Sequence, residues 1–211
     1  MKLIVTADDF GLHPAYDRGI LEAATAGAID AASVMVLRSR ARIEDLAASG
    51  VALGLHAEAR EPGGALEEAA LLEQLRTFER LVGRRPDYLD GHHHCHAVGS
   101  AAGLVARVAG EGDLPVRSVG PEHRRLLRDA EVRTADLLVG RHEENQPVIP
   151  ADLHDPPPGI RSIEWMTHPG HPDPSSGSSY DRGRGEDLAA LLSFELPPGF
   201  ARGTHLDLER D

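Results

Sequence analysis

The chain has 211 residues, enough for one sizeable core, and its length predicts a single domain over residues 1–211. Thirty-four acidic against 22 basic residues give a formal net charge of −12, a balance that repels a nucleic-acid backbone or an anionic membrane surface. No stretch approaches the ~20 apolar residues of a membrane span, the N-terminus lacks a secretory pattern, and a single cysteine, Cys95, excludes an internal disulfide, so a cytoplasmic protein is expected.

Lys2 to Ala7 is a β-branched run that stops at Asp8-Asp9-Phe10-Gly11, which predicts a buried strand opening into a polar loop. Pro14 starts a helical period that buries Ile20, Leu21 and Ala24 and stops near Gly27. Further strands are expected at Ser33 to Leu37, at Val51 to His56 and at Tyr88 to Asp90. Helices are expected at Ile43 to Ala48 and from Leu66 to Val82, the latter closed by Gly83. Beyond the histidines come a helix through Leu104 to Val108, a strand at Val116 to Val119 and a less regular polar region from Gly120 to Pro158. A strand at Ser162 to His168 and a helix from Asp187 to Phe194 complete the pattern. The short basic run Arg124, Arg125, Arg128 and Arg133 reads as a solvated helix face. Strands alternating with helices predict parallel βαβ units and an α/β fold, either an open sheet or a barrel.

Four of the twelve histidines fall within Tyr88-Leu89-Asp90-Gly91-His92-His93-His94-Cys95-His96. If this backbone is extended, His92, His94 and His96 share one face and His93 and Cys95 the other. More telling is where polar residues stand relative to the strands. Asp8 and Asp9, His56, His92 and His168 each lie just past the carboxyl end of a predicted strand, the edge that carries active sites in parallel α/β proteins. One carboxylate and two imidazoles make a facial set that leaves positions open for water and substrate. The neighbouring carboxylate, Asp8, is then free to act as a base.

These residues resemble a known family, the YdjC-like (ChbG-type) carbohydrate deacetylases. The matching elements are Thr6-Ala7-Asp8-Asp9-Phe10-Gly11, Gly54-Leu55-His56, Asp90-Gly91-His92-His93-His94-Cys95-His96, Val116-Arg117 and His168-Pro169-Gly170, with a weaker likeness from Arg182 to Leu192. Gly91 stands where the family usually has Ser, and Thr6 where it has Asn. The resemblance implies an irregular, TIM-barrel-like (β/α) barrel and hydrolysis of the N-acetyl group of an acetylated amino sugar, of the chito-oligosaccharide or glycolipid type. It places a divalent metal on Asp9, His56 and His92, makes Asp8 the base and His168 the acid that protonates the departing amine, and puts His94 and Arg117 at the site's edge against substrate. It also implies Mg²⁺, whereas two imidazoles and a carboxylate suit Zn²⁺ as well.

Two other functions fit parts of the pattern. A metal-dependent phosphoesterase on a similar barrel uses Asp and His at strand ends, but it usually needs two ions and more cationic help for phosphate. A non-enzymatic metal-binding protein would use the histidine run alone. Ala-rich outer helices suggest a homodimer.

Overall fold

A computed structural model describes residues 1–38, 42–61, 63–141 and 143–210. Alternation along the first strand, β1 (Lys2–Phe10), decides the architecture. Leu3, Val5 and Ala7 belong to the main apolar core, while Ile4, Thr6 and Asp8, equally buried, occupy the other face. A strand buried on both faces, one apolar and one polar, must have helices outside it and a packed polar interior inside it.

The chain continues through α1 (Pro14–Thr25), β2 (Ala31–Val34), α2 (Ile43–Ala48), β3 (Ala52–Ala57), α3 (Glu68–Val82) and β4 (Tyr88–Gly91). It then passes through a 3₁₀ segment (His92–Ala97), α4 (Ser100–Gly112), α5 (Pro121–Asp129), β5 (Leu137–Val139), β6 (Ser162–Thr167), α6 (Asp181–Ser193) and β7 (Ala201–Arg202). All pairings are parallel, in the order β4-β3-β2-β1-β6-β5, with β7 beside the start of β1. The sheet curls so that Thr6, Asp8, Ser33, His56, Tyr88, Asp90 and Glu164 share its inside, while the outer face packs on residues such as Ile20, Leu46, Phe78, Val105 and Leu188.

Residues 115–118 lie between β4 and the segment that precedes β5. Leu89 N–H donates to Pro115 O at 2.9 Å and Arg117 N–H to Leu89 O at 3.0 Å, while Val116 N–H donates to Arg133 O at 3.0 Å. The strand expected at Val116 to Val119 is therefore reduced to a single bridge, Leu89↔Val116, because it spans two short edges instead of extending one. The result is an irregular barrel of parallel strands rather than eight regular strand-helix repeats.

Three sequence expectations change. The region from Gly120 to Pro158 contains α5, whose solvated face carries Arg124, Arg125 and Arg128 and which buries only His123 and Leu127, and β5, three residues long. The final helix begins at Asp181 instead of Asp187, because Gly183 and Gly185 in its first turns hide a helical start. β1 runs on to Phe10, so Asp8 and Asp9 belong to a strand, not a loop. Among the described residues no helix is long and apolar enough to cross a membrane.

One buried acid marks the turn out of β1. Asp17, 1% exposed, accepts the Gly11 N–H at 2.6 Å. Burial outweighs that bond and pushes its pKa up to about 6. Between the ordinary carboxylate range and pH 6 the folded chain binds a proton that the unfolded chain has released, so stability falls as pH rises through that window. Asp17→Asn is expected to lack this loss, gaining about 2–3 kcal/mol on the parent between pH 4 and pH 7. Urea unfolding at the two pH values measures it.

Candidate metal centre

The site grows from an irregularity in β1. Ala7 pairs with Ala32 and Phe10 with Val34, so three steps on β1 match two on β2, and the extra residue is absorbed as a bulge. Asp9 takes φ 72° there. Alternation would send consecutive carboxylates to opposite faces; the bulge instead turns both Asp8 and Asp9 into one cavity of about 570 Å³ at the carboxyl ends of the strands. His56 at the end of β3, His92 after β4 and His168 after β6 line the same cavity.

Asp9 Oδ1 lies 3.2 Å from His56 Nε2 and 2.9 Å from His92 Nδ1. These three ligand atoms lie within 4.8 Å of one another. Despite the short distances, Asp9 Oδ1 is a buried oxygen with no hydrogen-bond donor in good geometry. Lone pairs crowded together in this way fit a shared cation better than mutual hydrogen bonds, and one carboxylate with two imidazoles is a suitable donor set for a divalent ion. His56 Nδ1 stands 2.8 Å from Asp90 Oδ1, which assigns the proton to Nδ1 and leaves Nε2 for the ion. Burial disfavours a charged His56, but Asp90, Asp8 and Asp9 outweigh it and raise its pKa well above the ordinary value.

Asp8 is gripped from below. Arg117 Nη1 donates to Asp8 Oδ2 at 2.6 Å and Nη2 to Oδ1 at 2.8 Å. Burial would raise the Asp8 pKa, yet Arg117, with His56 and His168, holds it well below the usual carboxylate range. The same guanidinium reaches Asp90 Oδ2 at 2.8 Å and Glu164 Oε1 at 2.8 Å. Arg117 is 0% exposed, so it lies beneath the cavity floor and not at the substrate edge where the sequence placed it; three carboxylates of the barrel interior draw it inward. Asp8, His56 and Asp90 also form a second potential ion cluster, and Arg117 supplies the cation there.

The histidine run is not extended. His93 (φ 50°) and His94 (φ 56°) are left-handed, so His92, His93 and His94 all line the cavity while Cys95 and His96 turn into the protein. Gly91 follows from this fold: a Cβ would sit 2.9 Å from Cys95 Sγ and 3.0 Å from His96 Nδ1. The departure from Ser and the presence of Cys95 are thus one packing choice. His96 Nε2 lies 3.0 Å from Arg117 O, away from any ion.

His168 faces Asp8 Oδ2, with Nε2 at 4.0 Å. Its backbone N–H donates to Asp187 Oδ2 at 2.9 Å, and the Tyr180 ring meets it edge-on at 5.4 Å. Burial pushes the His168 pKa down, with Asp9 and Asp8 opposing. Two residues of α6 had no assigned role in the sequence. Arg184 Nη2 donates to Asp9 Oδ2 at 2.6 Å while its guanidinium stacks 4.1 Å from the Tyr16 ring centroid, and this leaves only Oδ1 of Asp9 turned to the histidines. Arg184 and Asp187, three apart and so on one helical face, were legible only as that spacing within the weaker likeness.

The YdjC-like protein family model matches residues 2–70 and 66–200. The chain belongs to the YdjC-like family. A carbohydrate deacetylase of Clostridium beijerinckii is 28% identical, with 93% of each chain covered, and a chitooligosaccharide deacetylase of Escherichia fergusonii is 27% identical over 98% of each. A crystal structure of a proposed cellobiose-phosphate cleavage protein from Enterococcus faecalis V583 superposes with a TM-score of 0.79 at 23% identity, covering 97% of both chains, which supports the fold. In this YdjC-like chain the family motifs converge on one cavity, apart from Arg117 beneath it.

Because the His56 proton must leave before Nε2 binds an ion, divalent-ion affinity is expected to rise as pH rises from 6 to 8, with about one proton released per ion. Titration calorimetry in buffers of different ionisation enthalpy counts the proton. Asp9→Ala is expected to weaken the same binding by about 100-fold or more.

Proposed function

We propose that this chain is a metal-dependent hydrolase that removes the N-acetyl group from an acetylated amino sugar. The observation that carries this reading is the pairing of a single Asp9-His56-His92 ion site with an ionised Asp8 and a facing His168 in one cavity. The family and its named deacetylase relatives support it.

A divalent ion held by Asp9, His56 and His92 would lower the pKa of a water molecule and polarise the acetamide carbonyl. Asp8 accepts the water proton at Oδ2, the oxygen that faces His168. Arg117 keeps Asp8 ionised and oriented through both oxygens, so the base needs no prior deprotonation at working pH. His168 Nε2 stands across the cavity to deliver a proton to the leaving nitrogen, with Asp187 and Tyr180 fixing its loop and ring. His93 and His94, with Ser178 and Ser179, form a polar rim suited to sugar hydroxyls. The family likeness favours Mg²⁺, and the two imidazoles also accept Zn²⁺.

The phosphoesterase alternative usually uses two ions about 3.5–4 Å apart. Arg117 counts against it by filling the neighbouring Asp8-His56-Asp90 cluster with a guanidinium. A storage protein would have no use for a base clamped beside the ion site.

Acetate and free amine should appear when the protein is incubated with N-acetylated chito-oligosaccharides and added Mg²⁺ or Zn²⁺, with no cleavage of a phosphodiester. Asp8→Asn is expected to bind the ion like the parent while acetate release falls about 100-fold or more. Phosphodiester cleavage without acetate release would overturn the assignment.

A further inference from the structure

The end of the chain reaches under the catalytic floor. β7 runs beside β1, where Ala201 N–H donates to Met1 O at 2.8 Å and Gly203 N–H to Leu3 O at 3.0 Å. A capping box formed by Thr204 and Asp207 then closes a 3₁₀ turn over His205–Asp207. Leu208 packs on Ile4 and Ala135 inside the barrel. This anchoring drives His205, 0% exposed, into the barrel from the end opposite the cavity. His205 lies past residue 200, the last that the family model matches.

His205 stacks on Tyr88 at 3.7 Å between centroids and 9° between planes, and its Nε2 stands 3.2 Å from Glu164 Oε1 without hydrogen-bond geometry. That oxygen accepts Thr6 Oγ1–H at 3.1 Å and Arg117 Nε–H at 2.8 Å. A continuous line of buried contacts thus runs from His205 through Glu164 and Arg117 to Asp8. Arg117 is one cation shared by three carboxylates. Arg117 meets Glu164 through Nε and Asp8 through Nη1 and Nη2, so the hold of Glu164 on Nε fixes the direction in which the fork is presented to Asp8. A further buried partner on Glu164 therefore steadies the fork.

We propose that His205 is a positioning residue for the base: by meeting Glu164 from below, it fixes the orientation in which Arg117 holds Asp8. His205 does not touch the reacting atoms and acts only through this line. The kinetic part of the proposal rests on the deacetylase reading; the structural part does not.

His205→Phe keeps a ring on Tyr88 but carries no polar nitrogen toward Glu164. The variant is expected to lose about tenfold in kcat for acetate release from an N-acetylated chito-oligosaccharide, with KM within about twofold of the parent. Adding Glu164→Gln is expected to cost less than it does in the parent, because both act through one contact. His205→Gln, which keeps a polar nitrogen at this position, should keep kcat within about threefold of the parent. Independently of activity, the Arg117 Nε–H resonance in ¹H–¹⁵N spectra should exchange with water about tenfold faster in His205→Phe than in the parent. A folded His205→Phe with parental kcat and parental Arg117 exchange overturns the proposal, as do additive effects of the two substitutions. If His205→Phe does not fold, a tenfold kcat loss in folded His205→Gln overturns it too. Absence of acetate release by the parent rejects the deacetylase reading, and the exchange measurement then decides the role of His205 alone.

Discussion

A guanidinium with no exposure to water organises the inside of this barrel. Arg117 holds Asp8 by both oxygens, Asp90 by one and Glu164 by one, all between 2.6 and 2.8 Å. Buried acidic groups would not tolerate each other at these distances without a cation, and Arg117 supplies one to all three. Burial alone would raise the pKa of Glu164, yet Arg117 and His205 hold it near 2. Removing one partner from such a cluster leaves a desolvated charge behind, which makes the cluster costly to alter piecemeal.

The catalytic geometry is stacked on that floor in layers. Asp90 connects them, with one oxygen near Arg117 and the other beside His56 Nδ1, so the same carboxylate that helps hold the guanidinium fixes the tautomer of His56, a candidate ion ligand. Ser33 adds a hydroxyl to Asp90 at 2.7 Å and touches Tyr88 at 2.8 Å, extending the lattice sideways. From the α6 side, Arg184 pins the second oxygen of Asp9. Asp8 and Asp9, neighbours in sequence, are therefore held by different cations in opposite directions and are free to take different tasks. This division depends on the bulge in β1, which brings both into the cavity at the cost of a left-handed backbone at Asp9.

The fit of the arrangement to amide hydrolysis follows from what surrounds the ion site. One ion position, an ionised acceptor on one side and an imidazole 4.0 Å from that acceptor on the other supply the three elements needed to attack a carbonyl and protonate a leaving nitrogen. The guanidinium at the neighbouring cluster serves structure instead of a second ion. Strong positive fields for a phosphate are not needed, in keeping with a chain of net charge −12.

The sequence by itself determined the parallel strand-helix pattern and the placement of Asp8, Asp9, His56, His92 and His168 at strand ends. These depend on short-range periodicity and on the rule that parallel strands end at one edge, so they are written locally. Tertiary structure alone decided the bulge that unites Asp8 and Asp9, the left-handed turn at His93 and His94, and the partners Arg117, Arg184 and His205. Arg117 and Asp8 are 109 positions apart, and Arg184 and Asp9 are 175 apart. A pairing across such distances leaves no periodic trace, because it depends on where a curled sheet brings its edges together. Arg117, which the family resemblance put at the site's edge against substrate, lies beneath it because three carboxylates from β1, β4 and β6 enclose it.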